Sequence, residues 1–266
     1  MDQQPWEGGL ARRIRRTSSS RQTTRPTLMR GRSFMLDLSR FRGEETGMCG
    51  RYVMSLSLVQ LEALFGKLDR LNFPPSWNAA PTQALPIIRL GRQQDFRLTQ
   101  VRWGLLPHWS KTGPDGAKPL INARSETAAD KPSFRQALER RRALIPADGF
   151  YEWSRDESGA KQPWYITRTD GQPMVMAGVW ERWGEGADRI DSFAILTTAA
   201  SNDIAHIHHR SPVFIPEGRF ADWLNPETDP RPFLTAPPDG SLGLRKASRR
   251  VNGVREDDPG LIEGEA

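Results

Sequence analysis

Apolar positions are thin before residue 48 and dense after it, and their spacing changes character along the chain. Leu58, Leu61, Leu64 and Phe65 recur at intervals of three and four, which predicts a helix; Ser57 with Gln60 supplies its capping box. Asn78 to Thr82 contains Pro81 and reads as a loop. Leu85 to Leu90 and Phe96 to Trp103 read as strands, the second with apolar residues at 96, 98, 101 and 103. A Gly- and Pro-rich stretch through Gly113, Pro114, Gly116 and Pro119 predicts a long loop, and Ser133 is expected to cap a helix running through Arg142. Short runs rich in Val, Ile, Phe and Trp at 143–146, 164–166, 174–180, 193–198 and 213–215 predict strands. A short helix is expected over Glu217 to Leu224 and a last strand near Leu242 to Lys246. The result is about seven or eight strands with three or four helices, no internal repeat and no regular βαβ alternation. That predicts an α+β fold: one domain with a mainly antiparallel, barrel-like β core and flanking helices.

Composition sharpens the boundaries. Residues 1–47 hold ten arginines, no lysine and five acids, for a net charge of +5. The remaining residues carry 28 basic and 27 acidic groups, so the basic character belongs to the leading segment rather than to the body of the protein. With Ser/Thr/Arg clusters and no sustained period, 1–47 reads as a disordered extension, either ahead of a true start at Met48 or a pro-segment. Its acids and its lack of an amphipathic helix argue against an organelle transit peptide. The expected domain covers 48–255, and 256–266 is expected to be a flexible tail. A single cysteine excludes an internal disulfide and a Cys-rich zinc site. The longest apolar run, Met174 to Trp180, falls far short of the roughly 20 residues of a membrane span. The expectation is a cytoplasmic, nucleoid-associated monomer that uses no cofactor and no membrane.

Five groups of residues could carry chemistry. Cys49 is either a small buried hydrophobe or, if it becomes the N-terminus, an amine and a thiol on adjacent carbons. Such a pair condenses with an aldehyde, the amine forming a Schiff base and the thiol closing a thiazolidine ring. Asn122 could cap a turn or orient a reacting group, and Arg124 could be a surface charge or an anion contact. Period-2 alternation puts Phe150, Glu152 and Ser154 on one face, so Glu152 is either a rim residue or a buried acid suited to proton transfer. His206, His208 and His209 precede Arg210. Without a cysteine or a helical i, i+4 partner they suit catalysis beside an arginine better than zinc. Among nine tryptophans, Trp103 and Trp109 flank Gly104 and Pro107 in a predicted loop and Trp153 adjoins Glu152; an exposed loop ring can stack on an unpaired base.

Taken in order, these pieces resemble the SOS-response-associated peptidase (SRAP) family, whose members trap abasic sites in single-stranded DNA covalently. The matching text is Met-Cys-Gly-Arg-Tyr at 48–52, Asn78-Ala-Ala-Pro-Thr-Gln83, Trp103-Gly-Leu-Leu-Pro-His-Trp109 and Asn122-Ala-Arg-Ser-Glu126. It continues with Pro146-Ala-Asp-Gly-Phe-Tyr-Glu-Trp153, Thr197-Thr198, Ile207-His-His-Arg-Ser-Pro212 and Val251-Asn252. The resemblance implies Cys49 as N-terminal nucleophile, Asn122 orienting it, and Glu152 and His208 in proton transfer. It also implies that Arg51 and Arg124 contact DNA phosphates; Trp103 and Trp153 are the expected stacking residues. Ser211 stands where the family usually has Met, and His209 where it usually has a small polar or acidic residue. Two other readings use the same residues: a thiol (auto)peptidase with Cys49 as nucleophile and His208 as base, or a non-covalent reader of modified or single-stranded nucleic acid.

Overall fold

The computed structural model describes residues 50–114, 116 and 118–264. The extension expected over 1–47 lies outside the described residues, and so does Cys49.

In chain order the strands are β1 (Arg51–Met54), β2 (Ser76–Ala79), β3 (Ala84–Leu90), β4 (Phe96–Trp103), β5 (Asn122–Arg124), β6 (Arg142–Ala147), β7 (Gly149–Arg155), β8 (Lys161–Arg168), β9 (Met174–Trp183), β10 (Ile190–Ala199), β11 (Arg210–Pro212) and β12 (Leu242–Lys246). Among the described residues three α-helices accompany them: α1 (Leu58–Phe65), α2 (Arg135–Arg140) and α3 (Phe220–Leu224). Strands β4, β3, β6, β9 and β10 pair in that order, all antiparallel. A parallel pairing of β10 with β4, through Ser192↔Arg102 and Phe193↔Trp103, returns to the start and closes a barrel. The second sheet is antiparallel throughout, in the order β12-β8-β7-β1-β2. The predicted α+β class with a barrel-like core is what the chain forms.

The two sheets share one apolar core. Tyr52 of β1, Phe150 of β7, Trp103 of β4 and Phe193 of β10 are all fully buried in it. Burying side chains of this size supplies most of the driving force for docking one sheet on the other. Helix α1 forms where the capping box predicts: Ser57 Oγ accepts from Gln60 N at 3.3 Å, and Gln60 Oε1 accepts from Ser57 N at 2.9 Å. Leu61 and Phe65 are its buried face, and Gly66 ends it at φ 77°, a backbone setting that favours glycine.

Several expectations are corrected. The helix after Ser133 stops at Arg140, and its N-terminal position is Phe134 with no side-chain cap. Arg142 opens β6 instead. Its buried guanidinium donates to the carbonyls of Trp223, Pro226 and Thr228 at 3.0, 3.1 and 2.8 Å, which clamps the segment after α3 onto the barrel. Asn78 and Ala79, expected in a loop, belong to β2. The strand expected at 213–215 is β11 at 210–212, followed by a single bridge from Phe214 to Met176. The last helix begins at Phe220 rather than Glu217.

The expected loose tail from 256 is also corrected: its first residues are built into the fold. Asp257 accepts from Trp77 N at 2.5 Å and from Ser76 Oγ at 3.0 Å, and Leu261 is fully buried. Buried Asn78 holds this strap in place, its Nδ2 donating to the carbonyls of Gly253 and Glu256 at 3.0 and 2.7 Å. No helix among the described residues is long and apolar enough to cross a membrane.

Candidate active site

The C-terminal end of β10 gathers most of the polar candidates. On one edge, β5 runs parallel to β10 in the register Ile195↔Asn122, Leu196↔Ala123 and Thr197↔Arg124. On the other edge, β11 runs antiparallel, with Thr197↔Pro212, Thr198↔Ser211 and Ala199↔Arg210. A three-residue strand has little intrinsic stability, so each borrows its order from β10. Asn122 is half-buried and Arg124 is exposed.

Arg210 fastens the two edges together. Its Nη2 donates to Thr197 O at 2.7 Å, the same carbonyl that accepts Ser125 N at 2.8 Å from the β5 side. Its guanidinium also grips Glu126 with both terminal nitrogens, at 2.5 and 2.8 Å. That charge-assisted fork holds the Glu126 carboxyl below the usual carboxylate range, with the hydrogen bond from Arg210 as the leading cause.

His208 sits at the end of the turn that leads into β11. Its backbone N donates to Ile204 O at 3.0 Å, and Ile204 is fully buried. Its Nδ1 lies 3.2 Å from Arg210 N and 3.4 Å from Arg210 O. With the proton on Nε2 the neutral ring accepts from Arg210 N through Nδ1; with a proton on Nδ1 the ring donates to Arg210 O. Burial pushes the His208 pKa down, a backbone hydrogen bond to Arg210 opposes it, and the neighbouring His209 and Arg210 push down further.

Glu152 belongs to the other sheet, on β7 between β1 and β8, and is 2% exposed. That burial excludes the rim placement for Glu152. Its neighbour Tyr151 pairs with Arg51, so the N-terminal end of β1 leads toward Glu152. Two aromatic contacts join this region to the β10 end. Phe150 meets Phe214, just past β11, with centroids 6.2 Å apart. Tyr52 meets Trp103 edge-on at 5.2 Å, and Trp103 Nε1 donates to Ile121 O at 3.0 Å, the residue before Asn122.

Asn122 and Arg124 on one side and His208 on the other thus flank the C-terminal half of β10, while Glu152 and Trp153 on β7 and Arg51 on the adjacent β1 belong to the second sheet. Trp103 is corrected: it is fully buried, its indole N–H spent on a core carbonyl, so it cannot stack on a base. The exposed tryptophan of that motif is Trp109, at 54%. Trp153 is half-buried and donates to Asn252 Oδ1 at 2.8 Å. Arg51 Nη1 is committed to Asn78 Oδ1 at 2.7 Å and Val251 O at 2.8 Å, and burial lowers its pKa; only the rest of the guanidinium is left for an anion. Among the described residues, no cluster of three or more His, Cys, Asp or Glu side chains could hold a metal ion.

Sequence reasoning missed the Glu126–Arg210 pair. Both residues lie inside quoted motifs, and their opposite charges were the signal available, but 84 residues separate them and no periodicity connects them.

The chain matches the family SOS response associated peptidase (SRAP) over residues 48–254. It is 37% identical over 227 residues to the abasic site processing protein YoqW of Bacillus subtilis, covering 81% of this chain and 99% of that one. It is 30% identical, over the same shares, to the abasic site processing protein YedK of Escherichia coli. A crystal structure of a Bordetella bronchiseptica protein superposes with a TM-score of 0.64 at 29% identity, covering 75% of this chain and all of that one. With a family match spanning the barrel, the second sheet and every candidate site residue, this chain belongs to the SRAP family.

Proposed function

We propose that the protein senses and shields abasic sites in single-stranded DNA by crosslinking itself to them through Cys49. The observation that carries this reading is the match to relatives named as abasic site processing proteins, which extends over 81% of the chain. The geometry supports it by bringing Asn122 and His208 to opposite edges of one strand, with a buried carboxylate, Glu152, on the facing sheet.

The chemistry balances with these groups alone. His208 handles proton transfer at the ring oxygen, so that the abasic sugar opens to its C1′ aldehyde. The amine of Cys49 adds to C1′ and forms a carbinolamine, its approach fixed by Asn122. Glu152 shuttles the protons as that carbinolamine loses water to give an imine. The thiol then adds across the C=N bond, its proton moving to nitrogen, and the thiazolidine closes. One water is released and nothing is oxidised or reduced. Orientation supplies most of the rate: Asn122 and Glu152 sit on paired strands, and the backbone of His208 is pinned to Ile204. The exposed Arg124 and the outward part of Arg51 contact backbone phosphates.

The mechanism demands a free α-amine on Cys49. While Met48 is attached, the nitrogen is an amide whose lone pair is delocalised into the carbonyl, and it cannot form a Schiff base. Crosslinking therefore requires a chain that starts at Met48 and loses it, or a cut before Cys49.

Cys49→Ser is expected to bind single-stranded DNA and to give no heat-stable adduct with an abasic oligonucleotide on a denaturing gel. A stable adduct from that variant, or one whose intact mass still includes residues 1–48, sinks the mechanism. The word peptidase in the family description favours one second reading, a thiol (auto)peptidase. Its nucleophile needs no free amine, so selective blocking of the α-amine abolishes crosslinking and spares peptide cleavage.

A further inference from the structure

The rings of His208 and His209 face one another, with centroids 4.6 Å apart and planes inclined by 30°. Adjacent residues in a strand would point to opposite sides, but here the chain is turning into β11. His208 N donates to Ile204 O at 3.0 Å and Ala200 N donates to His209 O at 3.1 Å, so both backbones are pinned. The inner ring, His208, is half-buried and the outer ring, His209, is exposed.

We propose that His209 is a positioning residue that governs the protonation of His208, keeping the inner ring neutral as the solution becomes mildly acidic. The proposal rests on the reading that His208 transfers a proton. Two facing imidazoles at this distance cannot both become imidazolium without mutual repulsion. The inner ring is the one whose pKa burial already lowers, so a charge on the exposed ring opposes its protonation further. Of the other charges near the pair, Arg210 acts in the same sense. From β11, Arg210 brings a fixed positive charge against His208, and Glu126, the nearby carboxylate from the β5 side, is held by Arg210. His206, on the same turn, is exposed. With its proton on Nε2, the neutral inner ring accepts from Arg210 N through Nδ1.

The test is a charge series whose two variants are isosteric with each other. In the full chain, the His208 ring is titrated by NMR in the parent, in His209→Asn and in His209→Asp. The parent is expected to have the lowest His208 midpoint. The Asn variant should lie about half a pH unit higher and the Asp variant higher again, from the Coulomb interaction of exposed charges at this separation. The spread should narrow in high salt. Coincident midpoints in the three proteins overturn the proposal, and so do midpoints that rise equally in the isosteric Asn and Asp variants, because that pattern reports loss of packing rather than charge. The pH profile of the crosslinking rate is recorded alongside. If the midpoints move and the rate profile stays, the effect of His209 stands and it is the proton-transfer assignment of His208 that fails.

Discussion

Trp103 and Trp109 stand six residues apart in one motif, yet they occupy opposite environments. Trp103 is fully buried, edge-on to Tyr52, parallel to Phe193 at 6.2 Å, and bonded to the carbonyl before Asn122. It is the joint where the β1 sheet, the barrel and the Asn122 strand meet. Trp109 follows Gly104, whose φ of 117° turns the chain out of β4, and presents half its surface to solvent. The turn at that glycine is forced: a Cβ there would come within 2.5 Å of Pro119. One indole therefore sets the distance between parts of the site, and the other is able to meet a ligand. Residue type alone does not separate a joint from a contact surface.

The largest effect that would break this contrast is Trp103→Ala. A cavity at that joint is expected to cost about 3–5 kcal/mol of stability, read as a drop in the urea midpoint. Trp103→Phe should recover part of that loss and should still crosslink more slowly, because Ile121 O loses its donor beside Asn122. Stability unchanged in Trp103→Ala would return this ring to the list of ligand contacts. Trp109→Ala should do the reverse: the same Tm, with single-stranded DNA binding weakened by about 1–3 kcal/mol if a base stacks there. Its salt dependence should be unaltered, whereas Arg124→Ala should reduce the salt slope by about 0.7. Unchanged affinity in Trp109→Ala would show that the bound strand takes another path.

Between these extremes stands the Arg210–Glu126 pair, one partner buried and the other half-exposed. Solvent screening of Glu126 keeps the expected cost of Glu126→Gln to under about 1 kcal/mol. Arg210 holds this carboxyl below its ordinary pKa, so the pair's contribution is complete above the usual carboxylate range and is lost as pH falls through the depressed value. The Tm gap between Glu126→Gln and the parent should therefore close toward acid. A gap that widens there would mean that the pair is not what holds β5 to β11.

Long elements with a clear period were legible in the sequence: β3, β4, β9 and β10 lie where alternation and apolar runs place them. The short strands β1, β2, β5 and β11 were not, because three or four residues carry no period and their order comes from a neighbour's edge. For the site, residue chemistry pointed to Glu152 and His208. The reversal of Trp103, the anchoring of Arg51 by Asn78 and the grip of Arg210 on Glu126 depend on contacts between residues 18, 27 and 84 positions apart, which no local pattern records.

The strap that follows β12 has a consequence for the order of folding. Arg51 Nη1 reaches Val251 O across 200 residues, and Asn78 reaches Glu256 across 178. Contacts of such sequence separation pay the full cost of closing the chain before they return any energy, so they form late. During synthesis the barrel hairpins β3–β4 and β9–β10 can pair as they emerge, but the wall beside the N-terminal end of β1 waits for the residues that follow β12. Until they arrive, the Arg51 guanidinium and the Asn78 amide lack those carbonyls. The polar end of β1, first of the fold to be made, is thus among the last parts to be finished.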